Sequence, residues 1–180
     1  MKSVVVTGAS TGIGWGCTKV LVQKGFRVFG SVRKQADAGR LSREFGAGFA
    51  PLLFDVTDSA AIRTAADQVR SALGGEALAG LVNNAGIAVA GPLLYIDPDE
   101  LRRQLEVNVV GQVLVTQAFA PLLAAEGKDK AGRIVMISSV GGRNASPFMG
   151  PYNASKFALE GLSESLRREL MLLGVDVIVV

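Results

Sequence analysis

Short β-branched apolar runs alternate along the chain with longer segments in which apolar residues recur every three or four positions. The first kind predicts strands at Ser3–Thr7, Phe26–Val32, Gly48–Phe54, Gly80–Asn83, Arg133–Ser138 and Val175–Val180. Several of these, notably Val4-Val5-Val6 and Ile134-Val135-Met136-Ile137, are continuous rather than alternating. Continuous runs are the habit of strands covered on both faces in a parallel sheet. The second kind predicts helices over Gly12–Lys24, Ala36–Phe45, Ser59–Leu73, Asp99–Ala125 and Tyr152–Leu173, the fourth broken or bent near Gly111. Asp58 reads as an N-cap, and Asp97-Pro98 as a helix start with proline in its first turn. Strands joined by intervening helices imply right-handed βαβ units, hence one α/β domain over residues 1–180 with a doubly wound, mostly parallel sheet. In such sheets a ligand sits beyond the carboxyl ends of the strands, where the strand order reverses.

Composition narrows the chemistry. The 180 residues are 49% hydrophobic, with a mean hydropathy of +0.35. No run approaches the ~18 uninterrupted apolar residues of a membrane helix. The longest, Ala118–Ala125, contains Pro121. Met1-Lys2-Ser3 passes straight into Val4-Val5-Val6, which leaves no room for a signal-peptide core, so a cytoplasmic protein is expected. The chain has no histidine, which excludes Ser-His-Asp and Cys-His catalysis and imidazole-ligated metal sites. Its one cysteine, Cys17, excludes an intrachain disulfide and a cysteine metal cluster, and is expected to be a small core residue. A net charge of +3 invites a nucleic-acid partner. The basic residues, however, come at most in pairs (Arg33-Lys34, Arg102-Arg103, Arg167-Arg168), most with acidic neighbours, and aromatics are only 6%. Neither a phosphate-tracking stripe nor a stacking platform is present, and no nucleic-acid or membrane partner is expected.

The unusual residues fall at strand ends. The first strand leads into Thr7-Gly8-Ala9-Ser10-Thr11-Gly12-Ile13-Gly14 and then a helix. In a turn of this kind Gly8 permits the exit from the strand, Gly12 lets a pyrophosphate approach the backbone, and Gly14 allows close helix packing. The helix N-terminus offers free N–H groups and partial positive charge to phosphates. Ser10 and Ile13 belong to the same cradle. The spacing lacks the Gly-Lys-Ser/Thr of a P-loop, which argues against a nucleoside triphosphatase. The second strand ends without an acid and is followed by Arg33-Lys34, which favours NADP(H) over NAD(H), since arginine accommodates a 2′-phosphate. Asp55, ending the third strand, has two open roles: acceptor from an adenine amine or helix cap. Asn83-Asn84-Ala85-Gly86, after the fourth, suits close approach of a ribose and equally an ordinary turn.

The fifth strand ends in Ser138-Ser139, and Tyr152-Asn153-Ala154-Ser155-Lys156 follows. Tyr152 and Lys156 are four apart and share one helix face. A phenol ordinarily titrates near ~10, and a nearby ammonium or an oxidised nicotinamide favours its phenolate. That pairing supplies a general acid–base in a protein without histidine, with Ser139 placed to hold a carbonyl or alcohol oxygen.

Together the Gly8–Gly14 turn, Asn83-Asn84-Ala85-Gly86, Asn108-Val109, Ser139 and Tyr152-x-x-x-Lys156 resemble the short-chain dehydrogenase/reductase family, in the family's order, from residue 3 to the end of the chain. The resemblance implies a Rossmann-like fold and hydride transfer between a nicotinamide cofactor and the alcohol/carbonyl pair of a small, apolar substrate. It makes Tyr152 the proton donor or acceptor and Ser139 the holder of the substrate oxygen. Lys156 would bind the nicotinamide ribose and favour the phenolate, and Asn108 would hold a relay water. It also supports Arg33 at a 2′-phosphate, Asp55 and Val56 at adenine, and Asn83, Ala85 and Gly86 along the dinucleotide. Gly25 through Lys34 is reminiscent of the hydroxysteroid and retinol dehydrogenase branches. The resemblance implies a homodimer or homotetramer through the helices Leu114–Leu123 and Phe157–Leu173. Because members usually continue beyond the sixth strand, the chain is expected to lack the usual last strand and part of its substrate wall. A catalytically silent nucleotide-binding protein of the same fold is the alternative.

Overall fold

The structure, a computed structural model, describes residues 1–124 and 131–180. Its core is a six-stranded sheet, β1 (Ser3–Val6), β2 (Arg27–Val32), β3 (Phe49–Leu53), β4 (Gly80–Asn83), β5 (Arg133–Met136) and β6 (Asp176–Val179). The strands are all parallel, in the order β3-β2-β1-β4-β5-β6. One register row, Ala50–Phe29–Val5–Leu81–Ile134–Val177, crosses the whole sheet, and every member but Ala50 is buried. Such a row exists because the strand sequences are apolar at consecutive positions, so that both faces can be covered.

Helices cover both faces: α1 (Gly12–Gln23), α2 (Gln35–Phe45), α3 (Ser59–Leu73), α4 (Pro98–Leu105), α5 (Gly111–Phe119) and α6 (Gly150–Leu170). Ala38 and Leu41 of α2 pack with Val4, Val6 and Val28 on one face, joined by Trp15, Cys17 and Leu21 of α1. Ile62 and Val69 of α3, Val115 and Phe119 of α5 and Leu159 of α6 pack with Val5, Leu81 and Ile134 on the other. Burial of each such side chain contributes about 1.5–3 kcal/mol, so the two apolar layers carry the fold. Cys17 is a half-buried member of the first layer, a packing residue as its sequence context implies.

The predicted elements are all present, with shifts that have physical causes. Asp58 caps α3 through bonds from the Ala60 and Ala61 amides, and Asp97 caps α4 through Asp99 N. The long fourth helix loses its regular α pattern near Gly111, where a change was expected: a π-helical segment, Glu106–Val110, centred on Asn108, joins α4 to α5. Gly111 serves packing, since a Cβ there would lie 2.9 Å from Val56 Cγ2 and 3.0 Å from its carbonyl oxygen. The helical path ends in a 3₁₀ turn at Leu122, and the predicted final residue, Ala125, lies outside the described residues. The stretch Pro98–Leu122 is long and apolar enough to cross a membrane by length and composition alone. In the fold its Val115 and Phe119 lie fully buried beneath the sheet. Strand β5 stops two residues short of prediction, at Met136 rather than Ser138, and the next carbonyl, that of Ile137, accepts from a lysine instead of a neighbouring strand.

Strand order reverses between β1 and β4, so their carboxyl ends meet at the crevice where a doubly wound sheet takes its ligand. Thr7 fastens the two ends together: its Oγ1 accepts from the Asn84 and Ala85 amides at 2.9 and 3.0 Å and donates to Val82 O.

Candidate active site

A cleft of about 290 Å³ opens at this crevice. Gly8, Ser10, Ile13, Arg33, Asp55, Val56, Ala85 and Gly86 all line it, so the sequence-predicted cofactor residues from four strand ends converge. The turn is built by close approach. Gly8 adopts φ +66°, and its amide donates to Ser31 Oγ at 3.0 Å. A Cβ on Gly14 would stand 2.2 Å from Gly8 O and 2.5 Å from Asn84 Nδ2, so Gly14 packs against the turn itself. Gly12, with φ +57°, faces open space: nothing lies within 4 Å of where its Cβ would be. Thr11 begins α1 without a side-chain cap. Uncapped N–H groups at a helix start beside an open glycine suit a phosphate, and the residues present therefore fit a dinucleotide. Arg40 holds the turn from α2 by donating to Ser10 O at 2.6 Å. Trp15 is a packing residue: it lies against Phe45 and donates to Glu44.

Arg33 and Asp55 face each other across the cleft edge, 3.8 Å apart and both substantially exposed. Asp55 also accepts from Thr57 N and Oγ1, whereas the helix-capping role belongs to Asp58. Asn83 is not brought to the cleft. Its side chain turns into the core and donates to Thr116 Oγ1 and Met136 Sδ. The next residue takes the place expected of it: Asn84 lines the cleft, and its Nδ2 donates to Thr7 O at 2.8 Å. Strand alternation explains the exchange, because successive side chains point to opposite faces.

Beyond the cleft stand the hydroxyl, phenol and amine. Ser139 opens a short turn and its Oγ accepts from Gly141 N at 3.1 Å. Gly141 is pressed against α6: a Cβ there would meet Asn153 Oδ1 at 2.8 Å and Tyr152 Cε1 at 3.2 Å. The absent side chain thus brings the Ser139 turn against the Tyr152 ring. Lys156, one helical turn on, is buried and donates to Ile137 O at 2.7 Å, its Nζ 5.8 Å from the Tyr152 ring centroid. Burial lowers the Lys156 pKa from its ordinary value of 10.5, because the ammonium is removed from water.

Asn108 is buried in the π-helical segment, and its side chain is fully bonded. Oδ1 accepts from Ile87 N at 2.9 Å, while Nδ2 donates to Ile87 O and to Ser155 Oγ. Ser155 in turn donates to Tyr152 O at 2.7 Å. The functional neighbours that sequence reading missed are Thr7, Ser31, Asn84, Gln104 and Ser155. Three of them, Thr7, Asn84 and Ser155, sit inside the motifs already marked; Ser31 and Gln104 carry no local signal.

Residues 2–180 match the short chain dehydrogenase family. The NADPH-dependent 3-dehydrocapnine reductase of Ornithobacterium rhinotracheale is 42% identical, aligned over 100% of this chain and 64% of its own length. The uncharacterized oxidoreductase YbbO of Escherichia coli K12 is 39% identical over 98% of this chain and 63% of its own. Among solved structures, a short-chain dehydrogenase from Streptomyces avermitilis superposes with a TM-score of 0.90 at 33% identity, covering 99% of this chain and 64% of that one. A short-chain dehydrogenase/reductase from Burkholderia phymatum, in complex with NAD, gives 0.90 at 29% identity with the same coverage. The chain therefore spans less than two-thirds of the length of these relatives.

Proposed function

The chain belongs to the short-chain dehydrogenase family, and we propose that it serves a hydride transfer between NADP(H), in preference to NAD(H), and the alcohol/carbonyl pair of a small apolar molecule. The observation that carries this reading is the convergence of Ser139, Tyr152 and Lys156 around Gly141 and Ile137, where α6 is tied through Ser155 and Asn108 to Ile87 of the cleft that fits a dinucleotide. The bound nicotinamide would supply or accept the hydride. The rest of the work falls to the chain.

Ser139 Oγ already accepts from Gly141 N, which leaves its own hydrogen free to donate to a substrate oxygen. Tyr152 gives the proton to that oxygen in reduction and takes it back in oxidation. An ammonium has three donors, and only one of those on Lys156 is needed by Ile137 O. The others serve a ribose hydroxyl and the phenolate. With the Asn108 side chain bonded at every atom, a relay water assigned to it would be held by backbone carbonyls of the π-helical segment, where the regular bonding is offset.

Preference for NADP(H) rests on Arg33 at the cleft edge, and the NADPH-dependent relative agrees with it. An apolar substrate is supported by the exposed Leu93, Tyr95, Val140 and Phe148 around the Tyr152 end. Leu93 lies 3.1 Å from where a Gly150 Cβ would be, and Gly91 N donates to Phe148 O at 2.7 Å, so the two apolar segments are joined. Assembly as a homodimer or homotetramer is supported by the exposed Val110, Phe157 and Leu162 beside the groove between α5 and α6. A stable monomer in sedimentation at micromolar concentration would remove that part. Titration with NADPH and NADH by fluorescence, followed by turnover of ketones and alcohols, tests the whole. Tight NADPH binding without turnover of any pair would favour the silent binding protein.

A further inference from the structure

Gln104 sits on α4 between charged neighbours, Arg102, Arg103 and Glu106, yet it is fully buried. Both ends of its amide are bonded. Oε1 accepts from Val89 N at 2.7 Å, and Nε2 donates to Ile87 O at 2.8 Å and more distantly to Ser155 Oγ at 3.4 Å. Four residues on, Asn108 bonds both the amide and the carbonyl of Ile87 and also reaches Ser155 Oγ. Residues 87–89 belong to no strand. Their backbone groups are nonetheless satisfied at alternate residues, as a neighbouring strand would satisfy them, by two amide side chains. The same pair touches Ser155, whose hydroxyl holds the Tyr152 carbonyl. Ile87 lines the dinucleotide cleft.

We propose that Gln104 is a positioning residue for the active site: it fixes the cleft wall at residues 87–89 relative to the helix that carries Tyr152. Within residues 87–89 Asn108 bonds only Ile87, so the Val89 amide depends on Gln104. The inference rests on the dinucleotide reading of the cleft. It differs from a packing role because the contacts are hydrogen bonds from both ends of one amide, and an isostere can remove them without changing volume.

The test uses Gln104→Glu, which keeps the shape but loses both N–H donors, and Gln104→Met, which fills the space without polar atoms. Amide exchange is read by NMR on the full chain without nucleotide, and NADP⁺ and NAD⁺ affinities by calorimetry well below the unfolding temperature. The Val89 amide is expected to exchange at least about tenfold faster in Gln104→Met, with Val5 in β1 unchanged, the loss of one buried hydrogen bond being worth about that factor, whereas in Gln104→Glu a carboxylate oxygen still accepts from Val89 N and only the bond to Ile87 O is lost. Affinities for NADP⁺ and NAD⁺ are expected to fall together by about tenfold, since the 2′-phosphate end is untouched. Unchanged Val89 exchange in Gln104→Met overturns the clamp, and unchanged affinity with faster exchange overturns its role in the cleft. Absence of nucleotide binding in the parent chain would instead sink the dinucleotide reading, while the Val89 measurement still decides the clamp. If Gln104→Glu does not fold, Gln104→Met decides both points.

Discussion

Lys156 places its ammonium 2.7 Å from the Ile137 carbonyl oxygen, inside the fold and beneath the Tyr152 ring. The carbonyl belongs to the first residue after β5, so the lysine takes over where the strand ladder ends. A charge kept there is costly, because one carbonyl dipole replaces a hydration shell.

That cost has a pH signature. The native pKa of Lys156 lies below its ordinary 10.5, so between the two values the unfolded chain binds more protons and stability rises with pH. Below the native value the full penalty of the buried ammonium is present. Lys156→Met removes the penalty, and its unfolding temperature is expected to gain most over the parent near neutral pH. The gain shrinks as the pH approaches 10.5. Loss of the Ile137 hydrogen bond offsets the comparison by a constant and leaves the trend intact. Differential scanning calorimetry of both proteins across this range checks it; a difference that does not change with pH would refute it.

Tyr152→Phe keeps the ring against Gly141 but removes the proton. Turnover is expected to fall by about 10²–10⁴-fold, the usual worth of a positioned acid–base, while NADPH affinity stays within about twofold. Initial rates and fluorescence titration on the same preparations settle the assignment, which full retention of activity would sink.

Arg33→Ala is expected to weaken NADPH by about tenfold or more, the scale of one charge-assisted contact, and NADH hardly at all. Asp55→Asn removes the carboxylate that stands 3.8 Å from the guanidinium and is expected to improve NADPH relative to NADH. Equal losses for both nucleotides in Arg33→Ala would show that the arginine does not read the 2′-phosphate.

Gly14 and Gly16 lie two residues apart in α1, and they should respond oppositely to alanine. Gly14→Ala forces a methyl to within 2.2 Å of Gly8 O and is expected to cost at least about 1–3 kcal/mol and to disorder the phosphate turn. Gly16→Ala meets nothing within 4 Å inside α1 and is expected to stabilise by about 0.5–1 kcal/mol. Chemical denaturation of the two variants reads both signs.

Much of this is legible in the amino-acid order. Consecutive apolar residues in Val4-Val5-Val6 and Ile134-Val135-Met136 require a sheet covered twice, and the glycine spacing at 8, 12 and 14 requires a turn that backbone can approach. The spacing of Tyr152 and Lys156 puts both on one helix face, because side chains recur every 3.6 residues whatever surrounds them. These are local constraints, and local sequence carries them.

Only the tertiary structure decided the rest. Asn83 and Asn84 look alike in sequence, but the pleat sends one into the core and the other to the cleft. Gly111 reads as a helix breaker until Val56 is found against it. Gln104 carries no local signal in the sequence, and only the fold shows that its amide bonds Ile87 O and Val89 N. In each case the partner lies far away in the chain. Sequence by itself determined the strands, the glycine turn and the tyrosine–lysine pair, whereas folding determined which polar groups are left to be satisfied and therefore which side chains must satisfy them.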